Sequence, residues 1–330
     1  MDEREQALKS WLSRQPGLET FSLEPASGDA SFRRYFRVKV PGGSYIAMDA
    51  PPENESCGPY VRIADAFAEL GLNVPRIYAQ DLEQGWLLLS DLGTRHYLEA
   101  LNQSTVERLY GDALGALAVI QACGPREGLP PYDRQLLLRE MGLFSEWLLL
   151  RQLSLTLSAE QAQMLDRVFA LLADSALEQP RVCVHRDYHS RNLLVTGSPN
   201  PGILDFQDAL LGPVTYDLVS LLRDCYLAWP RERVMEWVLG YLELAVQSGV
   251  LEPVPEGVFV RWFDLMGVQR HLKASGIFAR LNLRDHKPGY LADIPRTLGY
   301  IVELGPDYPE LADLEELIRE RVLPSLAQRQ

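Results

Sequence analysis

The stretch Val182-Cys183-Val184-His185-Arg186-Asp187-Tyr188-His189-Ser190-Arg191-Asn192-Leu193-Leu194-Val195, followed after a turn by Gly202-Ile203-Leu204-Asp205-Phe206, holds the side chains best suited to chemistry. Its turn, Gly197-Ser198-Pro199-Asn200-Pro201, is rich in breakers, so 193–196 and 202–204 are expected to fold back on each other as antiparallel strands. Asn192 immediately precedes the first strand and Asp205 immediately follows the second. Paired strands lie about 5 Å apart, which predicts that the two oxygen-bearing side chains emerge together at the open end of the hairpin, where one hard cation would bridge them. Magnesium accepts few protein oxygens and keeps its other positions for water and phosphate, so one carboxylate plus one amide suits it. Asp187, five residues before Asn192, is then a carboxylate not consumed by the metal and placed to accept a hydroxyl proton. A base, a metal and positioned phosphates are the working parts of phosphoryl transfer.

Each of these residues taken alone reads as a turn residue or a cap. Together they form H-x-D-x-x-x-x-N, which in a chain with five histidines has a chance likelihood of about one per cent on typical residue frequencies. The hairpin and the following Asp-Phe lower it further, so the combination carries the inference. His185 is expected to support the loop structurally, and His189 has no assigned role. Asp217, in Thr215-Tyr216-Asp217-Leu218, opens a helix and is either its cap or a support that hydrogen-bonds the loop.

The elements that must position these groups fall into an α+β pattern with two lobes. Residues 1–90 alternate short β-like runs and turns, and 91–330 are mostly helix-patterned. A first helix ends near Pro16-Gly17, and 32–40 and 44–48 form a hairpin around Pro41-Gly42-Gly43. A helix over 58–70 stops at Gly71, and 74–79 and 86–89 read as two further strands. Beyond Thr94, Ser104-Thr105-Val106-Glu107 and Ser158-Ala159-Glu160-Gln161 both have the form of a capping box. The spans 216–227, 231–247 and 259–280 are also expected to be helical.

The 330 residues are 47% hydrophobic and 23% charged, an ordinary balance for a globular protein that can bury a full core. A net charge of −13, from 45 acidic and 32 basic residues, disfavours nucleic acid or an anionic membrane as partner. The cysteines Cys57, Cys123, Cys183 and Cys225 form no C-x-x-C pair, so free thiols in a reducing cytosol are expected. Neither a signal peptide nor a membrane span is visible, and no obligate protein partner is indicated.

These residues resemble the aminoglycoside-phosphotransferase and choline-kinase group. His185-Arg186-Asp187 to Asn192 is similar to its catalytic loop, Asp205-Phe206-Gln207-Asp208 to its metal motif, and Gly212-Pro213-Val214-Thr215-Tyr216-Asp217-Leu218 to the segment that follows. The resemblance implies a protein-kinase-like fold, with a small β-rich N-terminal lobe that binds nucleotide and a larger, mainly helical lobe that carries catalysis and the acceptor. It implies ATP and Mg2+ as cofactors, with Gly28, Ser31, Arg33 and Arg34 around the phosphate-covering loop and Ser90 and Leu92 at an adenine-receiving hinge. A narrower resemblance, carried by 28–35, 48–53, 205–209 and 269–273, is to bacterial anomeric kinases of N-acetylmuramate and N-acetylglucosamine. It implies an amino-sugar substrate, a C1 hydroxyl acceptor and a cytoplasmic cell-wall recycling role. A kinase of another small alcohol and a non-catalytic kinase-like binder are the alternatives.

Kinase-like folds usually place a lysine on the third strand, but Tyr45-Ile46-Ala47-Met48-Asp49 puts Met48 there. Arg33 or Arg34 is the candidate to replace its charge, since a guanidinium suits a phosphate fork, and a solvated strand edge is the other reading of both. For the acceptor, Arg223, Asp224, His271, Lys273 and Arg280 are the nearest polar candidates, with a cation expected for a lactyl carboxylate. Helical spacing separates His271 from Lys273, so at most one is expected to point inward.

Overall fold

The structure, a computed structural model, describes residues 3–27 and 33–328. Along the chain run α1 (Glu3–Leu12), β1 (Ser22–Ser27), β2 (Arg34–Val40), β3 (Gly43–Asp49), α2 (Gly58–Glu69), β4 (Ile77–Asp81), β5 (Trp86–Ser90) and α3 (Tyr97–Ala100). There follow α4 (Val106–Cys123), α5 (Arg134–Leu143), α6 (Ala159–Glu178), β6 (Arg181–Val184), β7 (Leu193–Leu194), β8 (Gly202–Ile203) and β9 (Leu210–Pro213). Then come α7 (Tyr216–Leu222), α8 (Arg231–Gln247), α9 (Glu256–Asp285) and α10 (Ile294–Leu304).

Packing divides the chain into two compact units, Met1–Ala100 with Asn192–Asp208, and Leu101–Arg191 with Ala209–Gln330. This partition differs from the boundary between 90 and 91 expected from composition. The β7–β8 hairpin bridges to Asn73 and His96 through its backbone, which groups it with the first hundred residues.

In the first unit the strands order β1-β2-β3-β5-β4, and every pair is antiparallel. Strand alternation sends Phe36 and Val38, Ala47, and Trp86 and Leu88 to one face, where they form a core with Leu8, Trp11 and Leu12 of α1. The interior strand β5, between β3 and β4, is buried over Trp86–Leu89, so its sequence is a continuous apolar run rather than an alternation. Gly85 turns β4 into β5 at φ +72°, and a Cβ there would lie 1.8 Å from the carbonyl oxygen of Ala50.

The second unit is built around α9, a 30-residue helix packed against α5, α6, α7, α8 and α10. Being enclosed on most sides, it buries polar residues along with apolar ones, including Gln269, Arg270, His271, Lys273 and Ser275. The expectation that only one of His271 and Lys273 points inward is therefore corrected, because both are buried in a helix that has no single wet face. Of the two capping boxes, Ser158 with Gln161 forms in both directions. Ser104 does not cap α4, because its amide and hydroxyl both donate to the Asn102 side chain.

Two glycines of this unit have opposite reasons to be there. A Cβ at Gly276 of α9 would stand 2.3 Å from the carbonyl carbon of Leu143 and 2.6 Å from the amide nitrogen of Phe144, whereas Gly240 of α8 has nothing within 4 Å. Gly276→Ala should destabilise the protein by about 2 kcal/mol through forced backbone separation. Gly240→Ala should stabilise it by up to about 1 kcal/mol through helix propensity. Urea unfolding of both variants checks this, and equal effects would refute the packing argument.

Candidate active site

In the first unit, Asn192 and Asp205 stand where the short β7–β8 pairing opens. The amide of Leu204 donates to the Asn192 carbonyl at 2.9 Å, and Asn192 Nδ2 donates to Asp205 Oδ2 at 3.3 Å. Asp205 adopts φ +63°, a conformation that Asp tolerates better than most residues and that ends the strand at this point. Gln207 Nε2 donates to the other carboxylate oxygen at 2.7 Å. Phe206 anchors the motif between Tyr60 and Phe67 of α2, with ring centroids 4.8 and 5.8 Å away. The turn is held by Asn73 Nδ2 on Thr196 Oγ1 at 3.1 Å and by Asn200 Nδ2 on the Tyr97 hydroxyl at 2.8 Å.

The two arginines where β2 begins have separate fates. Arg34 grips Asp49, which is fully buried and also accepts from Arg4 and from Trp86 Nε1. Arg33 is buried, ion-paired to Glu55, with Nη1 3.9 Å from Asp205. Burial lowers its affinity for the proton, but Tyr35, Glu55, Asp205 and Asp208 more than offset this, so it remains a cation. Met48 is a fully buried strand residue registered between Tyr35 and Leu87. Gly28 and Ser31 lie outside the described residues. The amide and hydroxyl of Ser90 are both engaged with the Arg76 backbone, and Leu92 lies against Gly202.

In the second unit, β6 delivers the loop that carries Asp187. Asp217, fully buried in the first turn of α7, accepts from the amide of His185 at 2.6 Å and of Arg186 at 3.0 Å. Of the two readings of Asp217, loop support is the one the contacts match, since its α7 end is not capped by a side chain. Further along, Ser190 donates its amide to Asp224 Oδ2 at 3.0 Å and Tyr188 its hydroxyl to the Ala113 carbonyl at 2.8 Å. The Asp187 amide donates to His185 Nδ1 at 3.3 Å.

Sequence reasoning missed Glu140 of α5. This buried carboxylate accepts from Arg186 and from the Tyr132 hydroxyl and lies 3.2 Å from Lys273 Nζ, which in turn donates to the Tyr216 hydroxyl at 2.9 Å. The only sequence signal was an acidic residue on a helix, which ordinarily marks a wet face. Burial raises the pKa of Asp187, but the positive field of Lys273, His189, Arg270 and Arg186 wins and holds it below the usual carboxylate value.

The acceptor candidates fare unequally. Asp224 fastens the loop, and Lys273 is committed to Glu140 and Tyr216. Arg223 pairs with Glu303 at 2.7 Å and lies over the Tyr300 ring. His271 stacks on the same ring, with Nε2 2.9 Å from the Arg223 carbonyl.

Residues 22–253 match the phosphotransferase enzyme family. A relative from Pseudomonas putida, an N-acetylmuramate/N-acetylglucosamine kinase, is 48% identical over 97% of this chain and 97% of its own. Another of that name, from Pseudomonas aeruginosa, is 50% identical over 90% of this chain and 87% of its own. Among solved structures, choline kinase LicA from Streptococcus pneumoniae matches with a TM-score of 0.63 at 14% identity, covering 91% of this chain and 99% of that one. The fold is protein-kinase-like, a small antiparallel-sheet lobe and a larger helical one. The chain belongs to the phosphotransferase enzyme family, and it is an enzyme of that kind.

Burial, reinforced by the cations Arg270 and Arg223, pushes the His271 pKa from 6.5 down to about 3. Between those values the unfolded chain binds a proton that the folded chain refuses, so stability falls as pH drops below about 6.5, by up to about 1.4 kcal/mol per pH unit. His271→Gln should therefore lose less urea resistance than wild type between pH 7 and pH 5. Parallel losses in the two proteins would show that His271 is not the source.

Proposed function

We propose that this phosphotransferase moves the γ-phosphoryl group of ATP to the anomeric hydroxyl of N-acetylmuramate or N-acetylglucosamine. The observation that carries phosphoryl transfer is the meeting of Asn192 and Asp205 at 3.3 Å where the hairpin opens. An amide oxygen and a carboxylate suit magnesium, which takes few protein oxygens and leaves room for phosphate and water. A metal caged wholly by protein fits less well, since the described residues include no group of three or more His, Cys, Asp or Glu able to hold one. The sugar assignment draws on the shared name of relatives at 48% and 50% identity.

In this reading Asn192 and Asp205 hold magnesium, which when bound neutralises charge on the nucleotide phosphates. Arg33, braced by Glu55, supplies the cation that Met48 does not, while Arg34 is kept structural by Asp49. Asp187, held ionised by its cationic surroundings, takes the proton of the C1 hydroxyl as that oxygen bonds to the γ-phosphorus. The bond from phosphorus to the β–γ bridging oxygen breaks, ADP leaves with its electrons, and Asp187 returns the proton to water. His185 and Asp217 position the loop without touching the substrate. The product is a sugar 1-phosphate, the kind of ester that a nucleotidyltransferase consumes, which suits cell-wall recycling. No described helix is long and apolar enough to cross a membrane. We place the reaction in the cytoplasm, where ATP and the four free cysteines are both at home.

Asp187→Asn should lower kcat by about 10²- to 10⁴-fold and leave the KM for ATP near wild type. Arg33→Ala should raise the KM for ATP by about tenfold, the loss of one charge-assisted contact, whereas Arg34→Ala should chiefly lower the melting temperature. Phosphorus NMR of the product formed from each sugar with Mg-ATP distinguishes an anomeric phosphate from a primary one. Wild-type turnover by the Asp187→Asn enzyme, or a phosphate on any other hydroxyl, would overturn the mechanism.

A further inference from the structure

Arg270 of α9 lies against the neighbours of both residues that fasten the loop carrying Asp187. Its guanidinium carbon stands 6.0 Å from the centroid of the Tyr216 ring, and Nη1 donates to Cys225 Sγ at 3.7 Å. Tyr216 immediately precedes Asp217, which takes the amides of His185 and Arg186. Cys225 immediately follows Asp224, which takes the amide of Ser190 at 3.0 Å. Asp187 falls between these two fastenings, so Arg270 is anchored on both sides of the segment that presents the base. Burial raises the Asp187 pKa, and Arg270 is among the cations whose field more than reverses this.

The protein uses little of what this side chain offers. A guanidinium has five N–H donors, and a thiol is a weak acceptor. Arg270 is only 5% exposed, yet its Nε has no hydrogen-bond partner among the described residues. Its neighbours on α9 are better served. Gln269 donates to the Tyr132 hydroxyl at 3.1 Å, His271 meets the Arg223 carbonyl at 2.9 Å, and Lys273 has Glu140 and Tyr216. His189 Nδ1 is likewise buried with no partner among the described residues. Burial opposes the charged form of both Arg270 and His189, and Asp187 and Asp224 favour it in both, so the two underused groups border one pair of carboxylates. Buried polar groups are normally hydrogen-bonded, and an exception beside a catalytic residue points to a ligand atom as the partner.

Whatever oxygen meets Arg270 belongs to the molecule that stands at Asp187. With the C1 hydroxyl at that carboxylate, the substituent within closest reach is the one on the adjoining ring carbon, which in both N-acetylated sugars is a 2-acetamido group. Its carbonyl oxygen is an acceptor, whereas the lactyl carboxylate of N-acetylmuramate starts one carbon further on and is missing from N-acetylglucosamine. Resting on the sugar-kinase reading above, we propose that Arg270 is a specificity-determining residue that donates to the 2-acetamido carbonyl of the acceptor sugar. A buried cation at this point also excludes a sugar with a 2-ammonium group, since like charges repel strongly where the dielectric is low.

The test uses four sugars with Mg-ATP: KM is measured for N-acetylglucosamine and N-acetylmuramate, and glucose and glucosamine are measured as inhibitors of N-acetylglucosamine phosphorylation. Arg270→Gln should raise both KM values by about tenfold or more, the scale of a lost charge-assisted contact, and leave the inhibition constant of glucose close to wild type. Arg270→Lys, which keeps the charge and loses the fork, should fall between. The wild-type protein gives a second reading without any variant: glucosamine, as its ammonium ion, should bind more weakly than glucose, and in Arg270→Gln that gap should close. Equal losses on N-acetylglucosamine and glucose would make Arg270 a support of the loop and overturn the proposal. A loss confined to N-acetylmuramate would assign Arg270 to the lactyl group and overturn it too, as would wild-type enzyme that binds glucosamine as well as N-acetylglucosamine. Wild-type enzyme that phosphorylates neither N-acetylated sugar would instead overturn the reading on which the proposal rests.

Discussion

The loop that presents Asp187 depends on one buried carboxylate. Asp217 takes the consecutive amides of His185 and Arg186, so it fixes two backbone units immediately before Asp187 rather than any side chain. Arg186 itself is held at φ +80°, a conformation disfavoured for a residue with a Cβ and kept only where surroundings over-determine it. Burial pushes the Asp217 carboxyl up to about 7, against the two amide bonds and Arg270, which pull it down. Ionised, it can accept both amides with full strength, so anchor and charge balance are coupled.

That coupling explains the polar interior of the helical unit. Glu140 collects Arg186 and Lys273, and Lys273 reaches Tyr216 at the start of α7, whose next residue is Asp217. The cations that keep Glu140 ionised also contribute to the field that keeps Asp187 ionised. A carboxylate held below its usual pKa is a weak base, which suits phosphoryl transfer, where orientation of the nucleophile matters more than early proton removal. The same buried charges would be costly if unpaired, so α9 carries them as a network rather than singly.

The hairpin and the loop were readable in the sequence because their signals are local. Breakers mark the turn, and the residues flanking each strand must follow it in space, so Asn192 and Asp205 could be placed before any fold was known. The bounds of α8, expected over 231–247, are those of the helix Arg231–Gln247. Glu140, the enclosure of α9 and the edge strand β1 were not readable, because each depends on what packs from a distance. Ser104 shows the local limit: its capping-box pattern is intact, yet Asn102 competes successfully for its hydroxyl.

Arg33 and Arg34 were inseparable as adjacent letters, and strand geometry separates them. Arg34 opens β2 in register with Asp49, the last residue of β3, so its side chain is committed to a buried partner across the ladder. Adjacent residues leave a strand on opposite sides, which turns Arg33 away from Asp49 and toward Glu55 and Asp205. In the proposed reading, where Arg33 supplies the cation from the segment before β2, the third strand has no need of one. Position 48 is then governed by packing between Tyr35 and Leu87, which an unbranched, polarisable methionine fills without a polar atom to satisfy.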